Sequence, residues 1–320
     1  MTSRKIFKLL AGATICLAIL TGGCAKTATI TLKFTPDDST NYRVVTESNR
    51  SVTFEGPLAT QSKAKGGTTG NTLELTFTQH IQDIDPEGSA IAKITINQLK
   101  LLSVKKNQPV FDFDSTREKD SDNPLAKLIG ESYTVKIPAD GRAATIVDTD
   151  KVNAKLRETA AGEIAERIFQ SESIERRHTC PALLDAGNKP LPVGQTWRSI
   201  KSFDFNMLGA KTYEKVYTLK EIKSRGNQRF AIVEMNAIPS PETIAQSAQL
   251  PHQFLEKFDN TDQYTGWLKL ELNSGKVENY SENLESVWFI VDPAFEPGSD
   301  KEPSAIRMAQ TNFYSIEKLD

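Results

Sequence analysis

Three stretches of this chain alternate apolar and polar residues with a period of two, and that period most constrains its fold. In TITLKF the apolar set is Ile30, Leu32 and Phe34. In TLELTFTQ it is Leu73, Leu75 and Phe77, with Glu74, Thr76 and Thr78 between them. In SYTVKIP it is Tyr133, Val135 and Ile137. Successive side chains of a strand point to opposite faces, so each stretch predicts a strand with one face packed and the other toward water, the habit of antiparallel sheets. Four turn signals punctuate such runs: DPEG (Asp85 to Gly88), ADG (Ala139 to Gly141), SRGN (Ser224 to Asn227) and NSG (Asn273 to Gly275). Their Gly, Asn and Asp residues tolerate the left-handed backbone that tight turns require, so they predict hairpins.

One segment breaks the pattern. Between Asp150 and His178, Val152, Leu156, Ile164, Ile168 and Phe169 recur near the helical repeat. Ala160, Ala161 and Ala165 fill between them, and Gly162 is a weak point. This predicts one long amphipathic helix packed on a sheet. Shorter helices are expected after Ser240-Pro241 and Pro303-Ser304. The segments on either side of the long helix share an outline of a long hairpin followed by strand, glycine turn and strand. The expected fold class is therefore α+β, mostly antiparallel β, with two similar β-units (curved sheets or half-barrels) around one long helix. The expected divisions are 1–23 as a signal peptide, 24–148 as the first β-unit, 149–190 as a helical connector and 191–320 as the second β-unit.

The beginning of the chain carries an address. Arg4, Lys5 and Lys8 precede an apolar run from Leu9 to Leu20. A membrane-spanning helix needs about 20 apolar residues, so this run reads as a secretory signal. The run ends in Thr21, Gly22, Gly23 and Cys24, which resembles the signal of a bacterial lipoprotein; Thr21 stands where that signal usually has Leu, found here one place early as Leu20. The resemblance implies lipidation of Cys24 as the mature N-terminus. Ala25, which is not Asp, implies the outer membrane, facing the periplasm. Without three basic residues of the signal, 36 of the 39 remain against 41 acidic residues, a mild net charge of −5. Such a balance gives no electrostatic footprint for nucleic acid. Of the three cysteines, Cys16 leaves with the signal and Cys24 takes lipid, so Cys180 has no intrachain partner and is expected as a small buried hydrophobe.

The phrases FDFDS, NPLAKLIGESYTVKIPADGRA and LPVGQTW follow one another in the order seen in an uncharacterised family of exported bacterial proteins, a domain of unknown function. Over most of residues 27 to 291 the chain resembles that family. Its shared motifs are structural, a strand before an Asp-Gly turn and a Pro-x-x-x-Gly-x-x-Trp approach to a later strand, and they imply no activity.

Local signals for chemistry are sparse. His80, His178 and His252 are far apart, whereas zinc sites use three or four ligands in paired spacing. Asp112, Asp114, Asp120 and Asp122 form an acidic stretch with oxygen ligands suited to calcium, but Arg117 and Lys119 interrupt it and the EF-hand glycine is absent. Asp83 and Asp85 read as part of a turn. KGGTTGN (Lys65 to Asn71) has no phosphate-loop lysine after it and reads as a hairpin tip. No G-x-S-x-G or H-E-x-x-H occurs. No catalytic, metal-binding or cofactor-binding residue is therefore expected, and no cofactor. The glycines of the recurring turns, Gly141, Gly194 and Gly275, are expected to supply backbone freedom, and Trp197 apolar area.

Two functions fit these readings. The first is a membrane-tethered lipoprotein acting as a non-catalytic binding or interaction module of the cell envelope, with an apolar ligand or an envelope protein as partner. The alternative is a cell-envelope hydrolase whose active site is assembled from distant residues. A long apolar cavity without convergent polar groups favours the first; a cleft holding a titratable pair with a base at hydrogen-bond reach favours the second.

Overall fold

The structure, a computed structural model, describes residues 26–61, 66–158, 162–187, 189–240, 259–291 and 302–319. After the short strand β1 (Thr27–Ala28), the chain lays down β2 (Ser39–Glu55), β3 (Gly67–Ile84), β4 (Ala90–Lys105), β5 (Gln108–Asp114), β6 (Ser132–Ile137) and β7 (Thr145–Asp148). Three helices follow, taken here as α1 (Asp150–Glu158), α2 (Gly162–Phe169) and α3 (Ser171–His178). A single turn of helix, Pro57–Gln61, sits between β2 and β3. The chain then forms β8 (Leu191–Pro192), β9 (Thr196–Asp204), β10 (Ala210–Arg225), β11 (Gln228–Pro239), β12 (Asp259–Glu271), β13 (Lys276–Val291) and β14 (Ala305–Leu319).

The strands do not divide into two units around a helix. They form one antiparallel sheet in the order β7-β6-β4-β3-β2-β14-β13-β12-β11-β10-β9, with β5 paired to β4 beside β6. The chain starts at the centre and works outward to β7. It crosses to the opposite edge at β9 and works back inward. The last strand then closes the gap: β14 runs against β2 from Ala305 opposite Glu55 to Leu319 opposite Asn41. Unpaired edges of two separate sheets would each expose a row of backbone donors and acceptors, and this pairing satisfies both. The same strand overturns the helix expected after Pro303-Ser304, since that pair only leads into β14. The segment expected to be a helix after Ser240-Pro241 lies outside the described residues.

The long helix is also corrected. Its segment is three short helices, and Gln170 before α3 is extended (φ −62°, ψ 150°). Gly162 is a poor helix former, and the Ser171-Glu172-Ser173 run favours a helix start over a helix interior. A straight helix over these residues would be about 43 Å long; broken, it follows the sheet. Val152, Ile168, Phe169 and Ile174 are buried in the core of the β2–β7 half. The side chains of Leu156 and Ile164 lie outside what the structure describes.

The four turn signals all join strands: Gly88 lies between β3 and β4, Gly141 between β6 and β7, Gly226 between β10 and β11, and Gly275 between β12 and β13. Two of these glycines permit close approach as well as positive φ. A Cβ on Gly141 would stand 2.5 Å from Leu183 Cβ, and one on Gly275 would stand 2.2 Å from the Lys33 backbone nitrogen. The second contact explains TITLKF, which is not a ladder strand. It bridges the halves of the molecule instead: Leu32 N donates to Ala139 O (2.9 Å) and Lys33 N to Gly275 O (3.3 Å). Ile30 is buried all the same. KGGTTGN is likewise not a hairpin tip, since Gly67 to Asn71 begin β3.

Candidate functional site

The inner face of the sheet, the one that carries the core, changes character from one half to the other. Across β2 to β7 it presents Tyr42, Val44, Leu75, Phe77, Ile94, Ile96, Leu99 and Val135, and the three helices pack into this apolar layer. Arg177 and His178 on α3 are tied into it. Arg177 donates to Tyr133 Oη (3.1 Å) and to Ile168 O (2.8 Å), and Tyr133 Oη lies 2.9 Å from His178 Nε2. Having accepted from Arg177, the tyrosine hydroxyl is placed to donate to an unprotonated Nε2. Burial, with Arg177 beside it, holds the His178 pKa well below the usual histidine value. His178 is thus a neutral part of the helix anchor.

Across β9 to β13 the same face carries charge. Lys215 on β10 is opposite Ala237 on β11. That small residue leaves room for the lysine stem to reach β13, where Nζ lies 2.8 Å from Glu282 Oε1. Glu282 also accepts from the hydroxyls of Tyr264 and Tyr280. The lysine side chain is only 3% exposed and the glutamate 14%. Burial opposes both charges, but each offsets it for the other: the lysine pKa ends above its usual value and the glutamate pKa below its own. Four residues earlier on β10, Lys211 lies 2.9 Å from Asp262, which also accepts from Ser286.

These pairs do not satisfy every polar atom around them. The hydroxyls of Ser199, Tyr213 and Tyr217 are buried without a well-formed hydrogen bond, with Lys215 and Ser199 beside the Tyr217 hydroxyl and Ser286 and Asp262 beside that of Tyr213. Ser199 is directly opposite Lys215 in the β9–β10 pairing. The Lys215 ammonium stands 5.5 Å from the centre of the Tyr217 ring. Native proteins pair nearly all buried polar groups, so a cluster of orphans marks this region.

The orphan Ser199, Lys215, Tyr264, Tyr280 and Glu282 line a cavity of about 550 Å³ between the sheet and the α3-to-β8 connection. A second cavity, about 400 Å³, lies toward β3 and β4 and is walled by Leu73, Leu101, Phe111 and Ile168. Thr46, Ser48, Arg176 and Tyr314 belong to both linings, so the cavities adjoin. Volumes of this size fall within the range of about 300–1,000 Å³ typical of small-molecule sites.

The residues singled out from sequence lie elsewhere. Arg117 binds Asp112 (2.9 Å) and Asp120 (2.5 Å), so the acidic stretch is the end of β5 and the turn after it, organised around the Arg117 guanidinium. Asp114 caps the same loop through Thr116 N, and Asp85 caps its turn through Glu87 N and Ser89 N while pairing with Lys136 (2.6 Å). His80 meets Ser39 Oγ at 2.9 Å. Among the described residues no three His, Cys, Asp or Glu side chains are grouped to hold a metal ion. Cys180 is buried, and burial pushes its thiol up to about 12. Trp197 stacks on Tyr217 and donates to Ala182 O (3.0 Å). Cys24 and His252 lie outside the described residues. Among those residues no helix is long and apolar enough to cross a membrane.

The sequence held one signal for the charged floor. Lys215, Tyr217 and Leu219 alternate on β10 as inward residues, and a lysine in phase with them is a charge on the packing face. No protein-family model and no curated protein matches this chain, so its own residues carry the functional argument.

Proposed function

We propose that the chain is a non-catalytic binding module of the bacterial cell envelope, lipid-anchored at Cys24 on the outer membrane, that holds an apolar ligand on the inner face of its sheet. The observation that carries this reading is the pair of adjoining cavities, apolar where β3 and β4 form the wall and hydrogen-bonding where β9 to β13 do. The anchor rests on the lipoprotein-type signal. Only two residues separate Cys24 from Thr27 of β1, which pairs with Pro192 of β8. That is a reach of about 10 Å at full extension, so the anchor would hold the sheet close to the bilayer.

A hydrolase reading draws on one observation, Ser199 opposite Lys215 at the cavity floor. A serine nucleophile needs a base that can take its proton. Lys215 is paired to Glu282 and its pKa is raised, so it stays an ammonium and cannot serve as that base.

The test uses the full chain with Cys24→Ala. The variant should leave the membrane fraction and lose fatty-acid labelling. It should bind a single-chain fluorophore saturably, with emission shifted as in an apolar medium. Retention on the membrane would refute the anchor. Absence of saturable binding, or ester cleavage lost with Ser199→Ala, would refute the binding module.

A further inference from the structure

We infer that the smaller cavity is an anion site in which Arg177 and Arg176 of α3 take the carboxylate of an organic acid, its apolar body lying against Leu73, Leu101, Phe111 and Ile168. This rests on the binding reading above and adds the chemistry of the occupant and its place.

The carrying observation is a buried cation with no counter-ion. Arg177 is only 4% exposed and lines the smaller cavity. Its guanidinium donates to Tyr133 Oη and to Ile168 O and stands 5.8 Å from the centre of the Phe169 ring. Those bonds use two of the five N–H donors of a guanidinium, and none of the partners carries a negative charge. Arg177 has no carboxylate within ion-pair distance among the described residues. Buried charges are ordinarily paired, because an ion taken out of water without a counter-ion loses more than its hydrogen bonds return. The cavity beside Arg177 has room for that counter-ion.

The rest of the lining agrees. Arg176, the preceding residue, is exposed, lines both cavities and makes no hydrogen bond or ion pair among the described residues. Arg167, the third arginine of the lining, already has a partner. The smaller cavity has no carboxylate in its lining. The larger one sets Glu47, Glu172, Asp204 and Glu282 against Lys201, Lys215 and Arg176, so an anion there meets as much repulsion as attraction. The difference in sign places the anion in the smaller cavity. A carboxylate matches the fork of a guanidinium with its two oxygens. The opposite wall excludes a bare ion as the whole ligand: Leu73 and Leu101 are directly paired across β3 and β4, and with Phe111 and Ile168 they offer only apolar contact.

The experiment is a calorimetric titration of the full chain carrying Cys24→Ala. The probes are dodecanoate, methyl dodecanoate, dodecyltrimethylammonium and acetate, each below its aggregation concentration. Dodecanoate should bind about tenfold or more tightly than the methyl ester, the scale of one charge-assisted hydrogen bond. Dodecyltrimethylammonium should bind more weakly than the ester, and acetate should not bind. Arg177→Met and Arg176→Met should each bring the acid-to-ester ratio toward one and leave ester affinity unchanged. Arg177 also anchors α3, so the exposed Arg176 decides the matter if Arg177→Met does not fold. Arg198→Met removes an outward arginine of β9 and should leave the ratio as in the parent.

Equal affinity for acid and ester, or a ratio kept in Arg176→Met, would overturn the anion site while leaving the binding reading intact. A ratio lost equally in Arg198→Met would trace the preference to net charge and overturn the site as well. Tight binding of acetate would overturn the apolar body. Failure of every chain-bearing probe to bind would bring down the binding reading itself.

Discussion

The β2–β7 half and the β9–β13 half of the sheet are built alike but filled differently. Both are antiparallel meanders with the same face turned inward. The first half is covered by α1 to α3 and closes over aliphatic and aromatic side chains. The second buries two ion pairs, Lys215–Glu282 and Lys211–Asp262, among tyrosines whose hydroxyls are partly unpaired. A core serving stability alone would do better with apolar residues, because a buried ion pair often contributes no more than a hydrophobic replacement and sometimes less. Both halves have an apolar core, but only the second sets ion pairs into it, so the hydrogen-bonding part of the proposed binding surface lies there and the apolar wall of the smaller cavity lies in the first.

Substitutions in the two halves should therefore fail in different ways. The largest effect is expected for Lys215→Met. It strands the Glu282 carboxylate in the interior and should cost about 3–5 kcal/mol. Adding Glu282→Gln should recover much of that in chemical denaturation. In the first half Phe77→Ala should cost about 3–5 kcal/mol as a cavity, and no polar second change should recover it. If the lysine variant behaves like the phenylalanine variant, with no recovery, the contrast between the halves is lost.

Acid should sharpen the contrast. Glu282 has a folded-state pKa below its usual value: burial raises it, and Lys215 with the two tyrosines lowers it further than that. Its contribution to stability is present above the unfolded glutamate value of about 4.3 and is lost as pH falls through the depressed folded value. Denaturation midpoints measured from pH 6 to pH 3 should fall more steeply for the native chain than for the Lys215→Met/Glu282→Gln pair. Parallel curves would mean that the pair does not titrate with folding. The smallest effect is expected for Tyr217→Phe. Its hydroxyl makes no well-formed hydrogen bond, so removing it should change stability by at most about 0.5 kcal/mol.

The local elements could be read from the sequence because their causes are local. Tyr133, Val135 and Ile137 alternate, and all three are buried on β6. Gly226 and Gly275 sit where a hairpin needs positive φ. The assembly could not be read so. Nothing in β14 itself states that its partner will be β2, some 260 residues earlier, and that pairing turns two expected units into one sheet. The helix segment failed for a related reason. Its apolar spacing marked a buried face, but only the path across the sheet dictated the break at Gln170.

The site was hidden in the same way. Ser199, Lys215, Lys201, Glu282 and Tyr264 come from four strands and meet only because β9, β10, β12 and β13 lie within one stretch of sheet. In sequence each is a polar residue in a strand. The acidic stretch from Asp112 to Asp122 was conspicuous because its residues are close in sequence, and it is the end of β5 and a turn tied together by Arg117. TITLKF shows the limit of periodicity from the other side: its alternation buries Ile30 without any ladder pairing.

The most direct test of the account is to block the junction of the two cavities. Thr46 lines both, and Thr46→Trp would fill the passage from the inner face. With dodecanoate titrated into the Cys24→Ala chain, affinity should fall at least tenfold in the tryptophan variant while the melting temperature stays within a few degrees of the parent. Unchanged affinity in a folded Thr46→Trp variant would contradict the claim that the inner face is the binding site.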